Sequence, residues 1–262
     1  MIIVDKLCYY SGLRYVNAME KFMFTALTLF FCIVSRSIAI AVLVLFLTGI
    51  LTVKKGRIPL SRYLRLMRIP VVFLLLSTLA ILVNISRVPM DAFALPIGPY
   101  YITGSFQGLF LGTQLLLTAL ASVSCLFFLS LSTPVTDILE VFRKFHVPGL
   151  LLELMLLIYR YIFIILNLAS AVTISQHSRL GNRDIRTARA SFALMISSIF
   201  VLSVKRSNAL YDAMEARCYD GAVHVLPEQH PAKVSEILCI AGFELFLLGS
   251  TILIMIWRRS YV

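Results

Sequence analysis

The feature that most constrains this chain is a series of long apolar runs, each able to reach across a lipid bilayer and separated from the next by a short charged segment. Of its 262 residues, 60% are hydrophobic and 14% are charged, whereas soluble domains carry about 45–50% and about 25%. The hydrocarbon core offers the backbone no hydrogen-bond partners, so runs of about 20 apolar residues cross it as helices. The sequence therefore predicts an all-α polytopic membrane protein.

The lengths of these runs predict about five transmembrane helices. Residues 22–53 are too many for one span and are interrupted at Ser35-Arg36-Ser37, so they are predicted to form two helices joined at Arg36. Residues 87–104 contain three prolines and two glycines, which indicates an external loop with a tight hairpin around residues 96–99. The other three predicted spans are residues 70–85, 106–131 and 235–257.

The distribution of basic residues predicts which side each segment faces. Residues 54–68 carry six basic residues and no acidic residue, which places them, and with them the N-terminus, on the cytoplasmic side. Within this segment Leu60, Leu64 and Met67 share one helical face, which favours an interfacial helix along the lipid headgroups over a solvated basic loop. Five spans leave the pair Arg258-Arg259 outside, contrary to the charge rule.

The formal charge of +11 does not indicate a nucleic-acid partner. The basic residues cluster beside apolar runs, where the lipid bilayer and its anionic headgroups are the expected partner. The five cysteines are odd in number and have no metal-ligand spacing, so neither a disulfide framework nor a metal site is predicted from them. The first twenty residues lack the apolar core of a cleavable signal, so the first membrane helix is expected to direct insertion.

Two further apolar stretches, residues 149–174 and 190–204, follow the fourth span. If both crossed the membrane, the arginines between them would lie outside, and if only one crossed, the two arginine motifs described next would face opposite sides. The interpretation that keeps both motifs in the cytoplasm has these helices dip into the membrane face or lie against it. The predicted organisation is an N-terminal domain of four transmembrane helices (1–133), a cytoplasmic region of amphipathic helices (134–231) and a C-terminal transmembrane helix (232–262).

Two short arginine motifs mark this region: the first motif, Ser178-Arg179-Leu180, and the second motif, Ala216-Arg217-Cys218. The twelve residues before Arg217 contain no proline or glycine and are predicted to form a helix. In that helix Leu210 and Met214 share a face that ends in Arg217. Tyr219-Asp220-Gly221 favours a turn, so the helix is predicted to end directly after the arginine.

Two roles are open to Arg179 and Arg217. One arginine beside a membrane helix is ordinarily explained by snorkelling of its side chain to the headgroups. Two similar motifs at predicted helix ends on the cytoplasmic side favour docking to a protein partner. The guanidinium suits docking because its planar fork binds a carboxylate at two points and keeps its charge.

No motif for catalysis or for nucleotide binding occurs in the chain, which lacks a phosphate loop, a dinucleotide fingerprint, a zinc-protease motif and a nucleophile elbow. The chain is therefore not expected to hydrolyse ATP or to act as an enzyme. The nearest approach to a metal-ligand set is His224, Glu228 and His230. Pro227 within the set and Pro231 directly after it break any helical spacing, which favours a solvated linker.

Four more polar residues lie in or beside the apolar stretches. Glu153 and Arg160 are seven residues apart on one helix face and are expected to tie the amphipathic helices to their neighbours. His146 and His177 are isolated in the sequence, so no ligand role is predicted for them.

The residues around both motifs resemble the transmembrane T component of energy-coupling factor transporters, most closely the cobalt type, CbiQ. The resemblance is carried by Arg179-Leu180-Gly181, by Arg186-Thr187 and by the run from Leu210 to Gly221. It implies that the two motifs end two cytoplasmic coupling helices that plug into a pair of ATP-binding-cassette ATPases. The family commonly has a small residue where this chain has Leu180.

The resemblance also implies a multi-pass protein of the bacterial cytoplasmic (inner) membrane that takes part in the import of cobalt or nickel ions. ATP would be bound by the partner ATPases and the metal ion by a separate substrate-binding membrane subunit, so no cofactor or metal site is expected in this chain. Two alternatives stay open. One is the T component of a vitamin importer, and the other, from a different class, is a small intramembrane enzyme.

Overall fold

The computed structural model describes residues 3–82, 84–86, 93–97, 100–104, 106–219, 231 and 233–260. This part of the chain is mostly helical, which confirms the predicted all-α polytopic class. A π-helical turn, Leu51–Lys55, continues α3. The elements in chain order are α1 (Ile3–Tyr9), α2 (Ala18–Ser35), α3 (Ile38–Ile50), α4 (Leu60–Leu82), β1 (Asn84–Ser86), β2 (Phe93–Ile97), β3 (Tyr100–Gly104), α5 (Phe106–Ser132), α6 (Val135–Lys144), α7 (Gly149–Ser178), α8 (Ile185–Glu215) and α9 (Val234–Ser260).

The three short strands form a small antiparallel sheet between α4 and α5, in the order β1-β3-β2. Strand β2 pairs with β3 so that Ile97 lies opposite Tyr100. The chain therefore reverses direction between these two residues. The hairpin predicted around residues 96–99 is confirmed by this pairing, although residues 98–99 themselves lie outside the described residues.

The helices form two compact units. The core unit contains α1 to α5, the sheet and α9, and the hairpin unit contains α6, α7 and α8. In the core unit α5 is central, since it packs against α1, α2, α3 and α4, while α9 packs against α2. In the hairpin unit α7 packs against both α6 and α8.

Small and polar side chains let the helices of the core unit approach closely. Ala41, Ala121 and Cys125 are almost fully buried at the contact of α3 with α5. Ser124 Oγ lies 2.6 Å from Thr48 Oγ1 and 2.8 Å from Tyr63 OH, so one hydroxyl joins α5 to α3 and α4. In lipid the hydrophobic effect does not drive apolar helices together. Close packing and such interhelical hydrogen bonds stabilise their association instead.

Two charged side chains are buried in the core unit, and the sequence-based interpretation did not identify either. Lys21 is 3% exposed, and its Nζ donates hydrogen bonds of 3.0 Å to the carbonyl oxygens of Leu13 and Ser132. Glu244 is 7% exposed, and its Oε1 accepts a 2.7 Å hydrogen bond from Thr28 Oγ1. The hydrogen bond between Thr28 and Glu244 joins α9 to α2. Buried charges with such partners fix how helices pack.

The helix bounds agree with most of the predicted spans. Arg36, in the left-handed conformation with φ 44°, separates α2 from α3 as predicted, and the last two predicted spans correspond to α5 and α9. The prediction of a separate interfacial helix before Pro70 is wrong, because α4 runs through Pro70 without a break. A transmembrane helix tolerates proline where neighbouring groups satisfy the freed carbonyl.

Seven helices in the described part of the chain are long and apolar enough to cross a membrane, against the five spans predicted. The two additional helices are α7 and α8. Both are longer than the apolar stretches predicted for them, because α7 continues to Ser178 and α8 extends from Ile185 to Glu215 through charged residues at both ends. Length and composition therefore make these two helices equal to the others as candidate spans.

Candidate functional site at two helix ends

Helices α7 and α8 form an antiparallel hairpin whose register is fixed by side-chain hydrogen bonds. In the three bonded pairs that follow, the two residue numbers add to 367 or 368, as expected when two helices run antiparallel. The pairs are Gln176 Nε2 with the Ser191 carbonyl (2.7 Å), Thr173 Oγ1 with Met195 Sδ (3.4 Å) and Tyr161 OH with the Arg206 carbonyl (3.3 Å). These bonds run from Tyr161 to Gln176 in α7 and from Ser191 to Arg206 in α8, and they hold the two helices together over that stretch.

The connection between the two helices is tight and well bonded. Ser191 Oγ donates a 2.8 Å hydrogen bond to the carbonyl of Gly181. A Cβ at position 181 would lie 2.7 Å from that same Ser191 Oγ, so only glycine fits this close approach without displacement. The start of α8 is closed by a capping box in which the side chains of Asp184 and Thr187 bond each other's backbone.

The first motif forms the C-terminal cap of α7. The amide of Leu180 donates to the carbonyl of His177 (3.1 Å), and the amide of Gly181 donates to that of Gln176 (2.8 Å). These two bonds define a Schellman cap, with Arg179 as the capping residue. Leu180 follows in the left-handed conformation, with φ 57°.

The second motif ends α8 with the same cap. The amide of Cys218 donates to the carbonyl of Glu215 (2.9 Å), and the amide of Tyr219 donates to that of Met214 (3.1 Å). Arg217 is therefore the capping residue, and Cys218 is left-handed with φ 57°. The two arginines thus occupy equivalent positions in two helix ends of the same geometry, a relation that sequence spacing did not reveal.

The prediction that the second helix ends at its arginine agrees with this geometry. Cys218 is left-handed, and the Asp220-Gly221 pair lies outside the described residues. Left-handed backbone at a non-glycine residue is uncommon, so the left-handed conformation of Cys218 could not be predicted from the sequence. Leu210 and Met214 are half-buried beside exposed neighbours, as the predicted shared face requires.

Both capping arginines are exposed. Within the described part of the chain, neither the Arg179 nor the Arg217 guanidinium makes a hydrogen bond or an ion pair. Arg179 adds to a basic turn, because Arg183, Arg186 and Arg189 follow it and are exposed too. Each end therefore presents an unneutralised planar cation to its surroundings.

The antiparallel arrangement places the two motifs at opposite ends of the hairpin. Helix α7 has 30 residues and α8 has 31, and each residue adds 1.5 Å, so the motifs are separated by about 45 Å. The structure does not bring them together into one site. They form two similar helix ends at opposite ends of the hairpin.

The remaining predicted residues fall in different places. Glu153, near the start of α7, accepts a hydrogen bond from Tyr219 OH, which ties α7 to the end of α8 as expected. Arg160 is exposed, and His177 contacts only the nearby Asn182 side chain, at 3.2 Å. The loop with His224 lies outside the described residues, and the rest of the structure contains no cluster of three or more metal-ligating side chains.

The fold defines a polytopic membrane protein with a helical hairpin that ends in two exposed arginine caps. A family model described as "Cobalt transport protein", CbiQ, matches residues 11–228. The chain belongs to this family. It is therefore a multi-pass membrane component of cobalt transport, in a family of transport proteins and not of catalytic enzymes.

Three relatives are similar over most of this chain. An uncharacterized protein of Methanocaldococcus jannaschii is 28% identical over 94% of this chain and 91% of its own length. The cobalt transport protein CbiQ of Salmonella typhimurium is 27% identical over 85% of this chain and 99% of its own. A putative fused cobalt transport protein CbiMQ of Methanocorpusculum labreanum is 29% identical over 92% of this chain, which spans 40% of the fused protein.

Proposed function

We propose that this chain is the coupling subunit of an ATP-driven energy-coupling factor importer for cobalt or nickel ions. The observation that carries the proposal is the pair of equivalent arginine caps, each exposed and unpaired, at the two ends of one rigid hairpin. Two like ends require two like receptors. A pair of ATP-binding-cassette ATPases in the cytoplasm supplies them, and each ATPase receives one arginine.

This function requires that both motifs face the same side of the membrane. A hairpin that crossed the bilayer would place the first motif, with Arg183, Arg186 and Arg189, on the side opposite to the second. The hairpin must then lie along the cytoplasmic face, although α7 and α8 are long enough to span. Its exposed apolar side chains, such as Phe200 and Ile158, would contact lipid or the neighbouring substrate-binding subunit.

The hairpin transmits force because it is stiff along its length. ATP binding and hydrolysis change the spacing of the two ATPase grooves, and each groove holds one arginine cap. Bonds such as those of Gln176 with Ser191 keep α7 and α8 in register, so the change of spacing moves the whole hairpin. The free energy comes from contacts that differ between the two ATPase states.

The chemistry of transport is divided among the subunits in this proposal. ATP is bound by the partner ATPases, and the metal ion is bound by a separate membrane subunit that supplies the ligands. This chain anchors the complex in the bacterial cytoplasmic membrane and couples the other subunits mechanically. Its residues bind partners and move, and none acts on substrate.

The test is to replace both capping arginines and to measure metal uptake and co-purification of the co-expressed ATPase. Truncating one partner of a buried charge pair costs about 2–5 kcal/mol, so Arg179→Ala with Arg217→Ala is expected to abolish both. Lysine at either position should rescue poorly, because it lacks the planar fork. Arg62→Ala with Arg65→Ala, on exposed positions of α4, is the control. Parental uptake by the double variant at equal membrane abundance would overturn the proposal.

A further inference from the structure

The end of α6 repeats the cap of the two arginine motifs. The amide of His146 donates to the carbonyl of Arg143 (3.1 Å), and the amide of Val147 donates to that of Phe142 (3.3 Å). His146 is left-handed with φ 59°. All three helices of the hairpin unit thus end in the same Schellman cap, and Phe145 holds the position that Arg179 and Arg217 hold in the other two.

The side chains at this third cap are basic and apolar. Arg143 and Lys144 are exposed and make no hydrogen bond or ion pair within the described part of the chain. Phe145 is 49% exposed, which is a large aromatic surface for a helix end. Two unneutralised cations beside an exposed ring suit an acidic partner groove that has an apolar floor.

The third cap lies at the same end of the hairpin as the second motif. Only Val147 and Pro148 separate His146 from the start of α7, so Phe145 is at most about 15 Å from Gly149. The beginning of α7 is in turn tied to the end of α8 by the hydrogen bond from Tyr219 to Glu153. The end of α6 and Arg217 therefore border one surface.

The two ends of the hairpin become similar when α6 is included. At the first end, Arg179 is accompanied by the exposed apolar Leu180 and Ile185 and by cations of the connecting turn. The second end has no connection between α7 and α8 to supply such residues. There α6 contributes the equivalent set, with Phe145 as the apolar group and Arg143 and Lys144 as the cations.

We propose that the end of α6, residues 143–146, forms with Arg217 one composite docking surface for an acidic groove of a single ATPase subunit. The proposal rests on the proposed function, since it extends the second docking point. Two like ATPase grooves need like ligands at both ends of the hairpin, and Arg217 alone would match only part of what the first end presents. Helix α6 supplies the rest.

Photo-cross-linking tests the contact directly. Benzoylphenylalanine is placed at Phe145, at Leu180 or, as a matched control, at Phe200, which is exposed in the middle of α8. Each variant is co-expressed with the ATPase and irradiated in membranes. Cross-links to the ATPase are expected from positions 145 and 180 and not from 200. A cross-link from 180 alone, or a cross-link of 145 to lipid alone, overturns this inference and leaves the proposed function standing. No ATPase cross-link from either end overturns both.

Charge reversal gives a second, independent measurement. Arg143→Glu with Lys144→Glu is expected to reduce ATPase co-purification about tenfold and to weaken its salt dependence, because charges at the rim of an interface act mainly on association. The matched control is Lys205→Glu with Arg206→Glu, the same change on exposed residues of α8 away from its end. Equal loss in both double variants would show that the total charge matters and not the end of α6, which contradicts the inference.

Discussion

The hydroxyl of Tyr219 donates a hydrogen bond to Oε1 of Glu153, which is 8% exposed. Tyr219 is also the residue whose amide completes the cap around Arg217. One residue therefore closes the end of α8 and fastens it to the beginning of α7. We therefore expect the position of the second capping arginine to depend on this bond.

Removing that bond is expected to loosen the second docking point. Tyr219→Phe leaves a buried carboxylate without this donor, which costs about 1–3 kcal/mol, and should lower both the thermal stability in detergent and ATPase co-purification. Tyr211→Phe is the matched control, since Tyr211 is 59% exposed on the same helix. Unchanged stability and co-purification in Tyr219→Phe would contradict the prediction.

The left-handed residues of the two caps should accept glycine and reject branched side chains. Left-handed backbone costs a non-glycine residue about 1–2 kcal/mol, so Leu180→Gly and Cys218→Gly are expected to keep ATPase binding. Leu180→Val and Cys218→Val should unwind the caps and reduce it. Ala213→Val, in the regular part of α8, is the control. Equal ATPase co-purification by the glycine and valine variants would show that the cap geometry does not matter.

The hairpin is expected to lie wholly on the cytoplasmic side. In a background without the five native cysteines, Asn182→Cys should resist a membrane-impermeant maleimide added to intact cells and react after permeabilisation. Thr103→Cys in the sheet, on the predicted external side, should react in intact cells. Labelling of Asn182→Cys from outside would mean that the hairpin crosses the membrane.

The buried pair of Thr28 and Glu244 is expected to stabilise the packing of α9 on α2. Thr28→Val removes the donor and should lower thermal stability by about 1–3 kcal/mol, whereas Thr113→Val, on an exposed position of α5, should have little effect. Glu244→Gln keeps an acceptor for Thr28 and should retain most of the stability. A Thr28→Val protein that melts like the parent would contradict this role.

The purified chain is expected to have neither ATPase activity nor a tight metal site. It has no phosphate loop, and its one loose ligand set, around His224, is interrupted by prolines. Isothermal calorimetry with cobalt and nickel should show no saturable site. Binding of one equivalent at micromolar affinity, lost on replacing His224 and His230, would contradict the prediction.

The class of fold and the position of the two arginine motifs at helix ends could be predicted from the sequence, because hydropathy and helix propensity act over neighbouring residues. The shared cap geometry could not. The left-handed residues of the two caps are Leu180 and Cys218, whereas the residue that usually indicates such a position is glycine. The nearby glycines lie further along the chain and do not mark these positions. Gly181 is needed for another reason, the close approach of Ser191.

The buried charges escaped prediction because their partners are distant in the chain. Lys21 binds the carbonyl of a residue 111 positions away, and Glu244 binds a hydroxyl 216 positions away. No local pattern encodes such a pair. The same holds for α4, where Pro70 was expected to begin a helix and instead lies within one, since tertiary neighbours decide whether a proline interrupts.

The antiparallel register of α7 and α8 fixes the distance between the two caps and the direction in which Arg217 lies around the axis of α8. Inserting one residue in the middle of α8 would turn Arg217 by about 100° around the helix axis and shift it by about 1.5 Å. Inserting seven residues would restore the direction of Arg217 around the helix axis to within about 20° and lengthen α8 by about 10 Å. In the proposed function, the number of residues between the two caps would thus itself determine which ATPase pair the chain fits, independent of the identity of the residues that lie between them.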